Sequence, residues 1–298
     1  MGTLIGTSPE LGAVLRTAQV AAAADVAVLI LGERGTGKEM LARTIHQDSF
    51  RSEKPMAVVN CAALPENLSE YELFGQADGG TLFLDGVDEL PHSWQGRLLR
   101  FMETGESLNE EGSALTQIDA RVIVASSKDL ASLAAEGQFR EDLFDRLNVV
   151  PLEMPPLRER TGDISVLLKG VTKELSERHG VEAPWFSKEA IKRLEGYGWP
   201  GNVRELRNLC ERLVILCANQ EVTADSLPRE ILNGSSEADE RGLWGFKFPE
   251  GGLVLEELEV SLINMALART DNNRTHAAAL LGISRDALLY RMKKHALR

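Results

Sequence analysis

Apolar residues follow two rhythms along this chain, and the change of rhythm divides it. Through residues 1–161, short β-branched apolar runs alternate with stretches whose apolar positions recur every three or four residues. The short runs predict strands at Val26–Leu31, Met56–Asn60, Thr81–Asp85, Ala120–Ser126 and Val149–Leu152. The longer period predicts helices at Pro9–Ala23, Lys38–Ser49, Leu64–Phe74 and Leu90–Glu103. Strands alternating with helices imply an α/β class domain, a parallel sheet covered on both faces. Residues 162–232 carry no strand signal and read as four helices, Asp163–Arg178, Ser187–Leu194, Val203–Asn219 and Ala224–Leu232. Residues 233–252 read as a linker: Asn233–Glu240 is small, polar and acidic, and Gly242–Gly252 holds four glycines and a proline. Residues 253–298 form a third, all-α unit.

Composition changes this picture little. The 298 residues suffice for two or three domains, and 43% apolar with 26% charged residues is ordinary for a globular protein. No run of 18 uncharged apolar residues predicts a membrane span, and no basic segment precedes an apolar one at the N-terminus, so neither membrane attachment nor a secretion signal is expected. Cys61, Cys210 and Cys217 lack metal-ligand spacing; Cys210 and Cys217 share a helix face and read as buried thiols. A cytoplasmic compartment is the expectation.

Charge changes more. The net charge is −12, yet residues 269–298 carry Arg269, Arg274, Arg285, Arg291, Lys293, Lys294 and Arg298 against only Asp271 and Asp286, a local +5. A basic tail on an acidic body is the asymmetry of a tethered nucleic-acid reader.

Candidate chemistry begins at Gly32-Glu33-Arg34-Gly35-Thr36-Gly37-Lys38-Glu39. A predicted strand leads into this glycine loop and a predicted helix leaves it, so backbone N–H groups and a positive helix end converge on one spot. The glycines let the backbone curl around phosphate oxygens, and Lys38 reaches the terminal phosphates. Glu39 stands where a hydroxyl that helps hold Mg²⁺ usually follows the lysine. Downstream, the apolar run Thr81–Leu84 ends in Asp85, a carboxylate suited to holding Mg²⁺ through water beside bound ATP or ADP. The next position, where a water-activating glutamate would serve hydrolysis, is Gly86. Asp88 and Glu89 lie past the strand end and are expected to aim elsewhere. A positioned base is worth ~10²–10⁴-fold in rate.

Seven ordered motifs give the chain a resemblance: GERGTGKE, NCAAL (Asn60–Leu64), ELFG (Glu72–Gly75), ADGGTLFLD (Ala77–Asp85), FREDLFDRLNVV (Phe139–Val150), PPLRER (Pro155–Arg160) and WPGNVREL (Trp199–Leu206). Together they resemble the AAA+ domain of bacterial enhancer-binding proteins, the ATPases that remodel sigma-54 RNA polymerase. The resemblance implies a nucleotide-binding core over residues 1–161, a helical lid over 162–232, and assembly of like subunits, or of paralogues, into a ring with ATP between them. It implies that Asn60 is a switch residue coupling nucleotide state to the catalytic glutamate, and that Arg140 and Arg146 are arginine fingers reaching a neighbour's γ-phosphate. It further implies that Arg204 is the lid's nucleotide sensor and that Ile5 and Gly6 line the adenine. Arginine's planar fork suits a phosphate transition state. Arg204 would sit in the first turn of a helix capped by Asn202, where a cation opposes the helix dipole and so serves something other than helix stability.

Three departures from the family pattern point the same way. ELFG runs almost directly into the Asp85 strand, where the family carries a long loop tipped by GAFTGA that contacts sigma-54. The Asp-Glu pair is Asp85-Gly86. The strand that usually ends in Thr-Asn, which positions the attacking water, reads Ser126-Ser127. A kept nucleotide pocket with remodelling given up is the coherent reading; an active sigma-54 activator with another contact loop is the alternative, and a small-molecule P-loop kinase is disfavoured by the lid and tail. Because the chain opens a few residues ahead of the nucleotide module, no sensory domain is expected before it.

The C-terminal unit predicts helices at Leu255–Ala268, Arg274–Leu281 and Arg285–His295, with Asn273 and Ser284 as caps and a tight turn at Gly282-Ile283. This helix-turn-helix resembles the Fis-type DNA-binding domain that ends most enhancer-binding proteins. Double-stranded DNA is thus the expected partner, with RNA polymerase a further candidate and a dimerisation module without DNA the alternative. Ser284, Arg285 and Asp286 are expected at base edges; Asp286 either accepts from a cytosine amine or helps cap its helix. Arg291, Lys293 and Lys294 are expected on phosphates, with Arg274, Thr275 and Tyr290 completing the interface.

Overall fold

The computed structural model describes residues 4–65, 68–109, 114–232, 255–270 and 273–295, in two units, 1–236 and 237–298. The first begins with helix α1 (Pro9–Ala22), started by Ser8, whose hydroxyl accepts the Leu11 N–H, with Pro9 in the first turn. Strand β1 (Val28–Leu31), helix α2 (Lys38–Gln47), strand β2 (Met56–Asn60), helix α3 (Glu70–Phe74) and strand β3 (Thr81–Asp85) follow. Next come α4 (His92–Thr104), β4 (Glu106–Leu108), β5 (Leu115–Gln117), β6 (Arg121–Ser126), α5 (Leu130–Ala135), α6 (Glu141–Leu147) and β7 (Val150–Glu153).

The five core strands are the five read from the sequence. They pair in parallel in the order β2-β3-β6-β1-β7. Side chains alternate between faces as a pleated strand requires. Leu29, Leu82, Leu84, Val122 and Val124 pack toward α3, α4 and α6. Val28, Ile30, Phe83, Ile123 and Leu152 pack toward α1 and α2. Burial on both faces explains why these strands are nearly continuous apolar runs.

Three expectations are corrected. The helix expected over Leu64–Phe74 is only α3: Leu64, Pro65, Leu68 and Ser69 are not helical, and a capping box between Ser69 and Glu72 starts the helix afresh. The antiparallel hairpin β4–β5 stands where no strand was expected, its three-residue arms being too short for a periodicity signal. Residues 162–232 are not strand-free, since β8 (Trp185–Phe186) pairs in parallel with β9 (Glu221–Val222). Around that pair lie α7 (Gly162–His179), α8 (Lys188–Glu195), α9 (Asn202–Leu216) and the short α10 (Arg229–Leu232). Trp199 centres this lid core: it is fully buried, donates Nε1–H to the Leu194 carbonyl (2.9 Å) and meets Tyr197 edge to face. Cys210 is buried beside it, and desolvation pushes its thiol up to about 12.

The second unit comprises α11 (Leu255–Arg269), α12 (Arg274–Leu280) and α13 (Arg285–Lys294) around Ile263, Ala266, Leu267, Ala277, Ala278, Leu288 and Met292. The linker expected over 233–252 lies outside the described residues. No helix among the described residues is long and apolar enough to cross a membrane.

Candidate functional site

The parallel sheet puts the carboxyl ends of β1, β3 and β6 at one edge, the place where such sheets bind ligands. Residues 32–37 leave β1 there. Gly32, Gly35 and Gly37 all have positive φ (146°, 82° and 106°), a conformation glycine adopts without strain. Gly35 is also required for packing: a Cβ there would lie 2.3 Å from the Gly201 carbonyl oxygen. Helix α2 opens at Lys38, whose Nζ folds back onto the carbonyls of Gly32 (2.6 Å) and Glu33 (3.0 Å). Burial lowers the Lys38 ammonium from its ordinary value and raises the Asp85 carboxyl, while each charge opposes the shift of the other.

A cavity of about 560 Å³ opens beside the loop. Its wall includes Arg34, Gly35, Gly37, Lys38, Glu39, Asn60, Asp85, Gly86, Glu89, Ser127, Arg204 and Arg207. The structure therefore brings together most of the residues expected at a nucleotide. Gly32, Glu33 and Thr36 lie outside the wall: the first two give their carbonyls to Lys38, and the Thr36 hydroxyl donates to the Glu33 carbonyl (2.9 Å). Ile5 and Gly6 lie outside the wall: Ile5 packs against Gly170 of α7, and a Cβ on Gly6 would strike Leu11 and Asp163. Arg140 and Arg146 also lie away from it. Arg140 precedes α6 and pairs with Asp142 (2.7 Å), and Arg146, in its last turn, donates to the Met102 carbonyl (3.2 Å).

Residues 158–160 and the start of α9 are tied to the phosphate loop by contacts the sequence did not disclose. Arg158 makes a two-pronged contact with Glu33 (2.6 and 2.9 Å), which holds that carboxyl below its usual range. Buried Arg160 donates to the Thr36 carbonyl (2.8 Å), and the Val203 N–H to the Gly35 carbonyl (3.0 Å). Asn202 is not the cap expected for α9. It is the first residue of that helix, at φ 52°, and its fully buried amide reaches elsewhere. Oδ1 accepts the Leu157 N–H (2.7 Å), while Nδ2 donates to Glu33 Oε2 (3.0 Å) and the Arg34 carbonyl (3.1 Å). Arg204 then projects from the first turn of α9 into the cavity wall, exposed.

The opposite wall is built differently. Asp85 makes no hydrogen bond through its carboxylate among the described residues, so it is free to hold a hydrated cation. Glu39 is turned along its helix to Arg43 (2.7 Å). Asn60 caps the turn that follows β2, accepting the Ala62 N–H (3.1 Å). Gly86 is left-handed (φ 75°, ψ 46°) and begins a tight turn over Val87–Glu89. That turn sends Asp88 to the end of β6, where its carboxylate lies 3.0 Å from the Ser126 hydroxyl and accepts the Ser127 N–H (3.2 Å). Glu89 does not aim away as expected; it borders the cavity and pairs with Arg34. Residues 75–80 link α3 to β3 compactly, with Gly80 pressed under the Pro55 carbonyl so tightly that a Cβ would lie 1.9 Å from its oxygen.

In the second unit, Asn273 caps α12, Ser284 caps α13, and Gly282 (φ 68°) turns between them. Arg274, Thr275, Ser284, Arg285, Asp286, Tyr290, Arg291, Lys293 and Lys294 are all exposed. Ser284 supplies the cap that was one of two roles open to Asp286. Glu259 of α11 takes Arg291 (2.5 Å) and His295 (2.9 Å), pairings that hold its carboxyl below the usual range, His295 contributing most.

Comparison with known proteins gives this architecture its relatives. The Sigma-54 interaction domain family matches residues 4–79 and 74–153, the AAA+ ATPase lid domain residues 158–243, and the Fis family of bacterial regulatory proteins residues 254–295. The transcriptional regulatory protein ZraR of Klebsiella oxytoca is 38% identical over 98% of this chain and 68% of its own length. XylR of Pseudomonas putida is 38% identical over 97% of the chain, which spans only 56% of that relative. Among solved structures, NtrX of Brucella abortus in complex with ATP is 32% identical at a TM-score of 0.74, covering 99% of this chain and 69% of that one. On its ordered interaction, lid and Fis segments, the chain belongs to the bacterial enhancer-binding family of transcriptional regulators with a sigma-54 interaction domain.

Proposed function

We propose that this protein is a cytoplasmic DNA-binding transcriptional regulator whose AAA+ module uses ATP or ADP as a ligand rather than as fuel. The residues fit a nucleotide: three positive-φ glycines, the start of α2 and Lys38 converge on a cavity that Arg204 borders from the lid. Asp85, whose carboxylate makes no hydrogen bond among the described residues, would hold Mg²⁺ through water, and the ion would supply charge neutralisation to the phosphates, while Glu39 stays turned to Arg43. The observation that carries the reading is Gly86. It removes the carboxylate from the base position and bends the chain so that Asp88 occupies the serines at the end of β6.

Loss of sigma-54 remodelling is supported by the compact 75–80 turn and by the alignment to XylR, which runs over 319 positions against 298 residues here, so that relative carries residues this chain lacks. The family match also breaks into two segments that meet at residues 74–79. Half-buried Arg140 and exposed Arg146, remote from their own cavity, suit contact with a second subunit's nucleotide, in a ring of this chain or with a paralogue. Duplex DNA is read by α13, with Arg285 at base edges and Lys293 and Lys294 on phosphates.

Thermal shift and phosphate release test the reading. ATP and ADP should each raise the melting temperature, with phosphate release at background; robust release abolished by Lys38→Ala would overturn it. DNA retention should fall in an Arg285→Ala, Arg291→Ala double variant. The competing reading, an active sigma-54 activator, draws on Glu89 as a carboxylate bordering the cavity. Open-complex formation at a sigma-54 promoter separates the two, and none is expected.

A further inference from the structure

We infer that Arg34 is a residue by which this site tells a nucleoside triphosphate from a diphosphate, acting beside Arg204 of the lid, and that Glu89 is the station where its guanidinium rests when no terminal phosphate is present. The inference builds on the proposed nucleotide site.

The backbone of Arg34 is pinned. Its carbonyl is held by Asn202, the next carbonyl by the Val203 N–H, and Gly35 is wedged under Gly201. Its side chain is 70% exposed at the cavity edge, and among the described residues its ion pair is with Glu89, which is half-buried. A fixed backbone with a swinging guanidinium gives two positions, one on Glu89 and one over the mouth of the cavity.

The relative strength of those positions decides which is filled. An exposed ion pair is worth little, because solvent screens it and ordering two long side chains opposes it. A guanidinium on a phosphate makes paired, charge-assisted hydrogen bonds to a group of higher charge. A γ-phosphate above Lys38 therefore draws Arg34 off Glu89, whereas a diphosphate, one group shorter, leaves the pair intact. Lys38 serves both nucleotides, since it lies at the floor of the loop. Arg207 does not compete, because Glu174 holds it at 2.7 and 3.1 Å. The turn that Gly86 imposes on residues 87–89 is what brings Glu89 to this edge.

Calorimetric titration of the full chain with Mg-ATP and with Mg-ADP tests this. Arg34→Ala should weaken ATP binding about tenfold, the worth of a lost hydrogen-bonded charge, and leave ADP within about twofold. Glu89→Gln, which removes the competing carboxylate, should tighten ATP and leave ADP unchanged. An unchanged ATP-to-ADP ratio in Arg34→Ala, or Glu89→Gln weakening ATP as Arg34→Ala does, overturns the inference. Wild type binding neither nucleotide would instead overturn the proposed function, so the two failures are distinguishable. Unaltered melting temperatures of the unliganded variants separate a binding effect from a folding one.

Discussion

The cavity has two walls held by different means. On the loop side, buried backbone and amide groups interlock the phosphate loop with the lid: Asn202, Arg160 and the Val203 N–H each take a loop carbonyl. On the strand side, the Asp85 carboxylate has no hydrogen-bond partner among the described residues, Gly86 carries no side chain, and Asp88 accepts from Ser126 and Ser127 at the end of β6. The first wall interlocks loop and lid, and the second, in the proposed reading, lacks the groups that would activate water. A site of this kind can bind strongly and react slowly, because the two tasks reside in different residues.

The comparison breaks first if the interlocked wall does not depend on the lid core. Trp199→Ala empties the centre of that core and should cost roughly 3–5 kcal/mol, read as a fall in the urea midpoint. Next, Asn202→Ala strips the loop of its buried anchor and leaves the Leu157 N–H unpaired. About 1–3 kcal/mol of stability should go, and ADP affinity should fall about tenfold, equivalent to 1.4 kcal/mol. Exposed Arg158→Ala should cost far less, since a solvent-screened pair contributes little.

Gly86→Glu sharpens the comparison from the other side. A Cβ at Gly86 meets nothing within 4 Å, so space is not the obstacle. The left-handed backbone is, together with the hold of Asp88 on Ser126 and Ser127. Phosphate release should rise by less than about tenfold, against the ~10²–10⁴ that a well-placed base supplies. A rise over that whole range would trace slow turnover to one carboxylate instead of the whole wall.

The smallest effect lies away from both walls. His46 is buried against Thr81, with 2.9 Å between Nδ1 and Oγ1, and burial lowers its pKa below the ordinary 6.5. The unfolded chain therefore takes up this proton first. Its contribution is complete above pH 6.5 and declines as pH falls below that, by at most about 1.4 kcal/mol per pH unit. Melting temperature followed from pH 7 downward should show a shallower decline in His46→Gln.

What the sequence made legible follows from range. The glycine loop, the core strands and the helix-turn-helix rest on local periodicity and turn chemistry, and the structure keeps them within a residue or two. The β4–β5 hairpin was not legible, because three-residue arms carry no period. Asn202 looked like a helix cap because it precedes an apolar-periodic run. Its partner Glu33 lies 169 residues earlier, and only the folded chain brings them together. Glu89 was misjudged for a related reason: the direction of a side chain after Gly86 depends on the left-handed turn, which the residue types permit without dictating.

The carboxylate of Glu259 has a consequence for the second unit. It pairs with Arg291 on α13, so in the proposed DNA complex that guanidinium would have to be shared with, or released from, a partner within its own fold to meet a phosphate. Each phosphate neutralised from solution releases a condensed counterion and steepens the log–log salt dependence of binding by about 0.9. In the proposed DNA complex a contact exchanged from Glu259 would bring less than that full gain, so binding should tolerate rising salt better than a tally of the basic residues of α13 predicts.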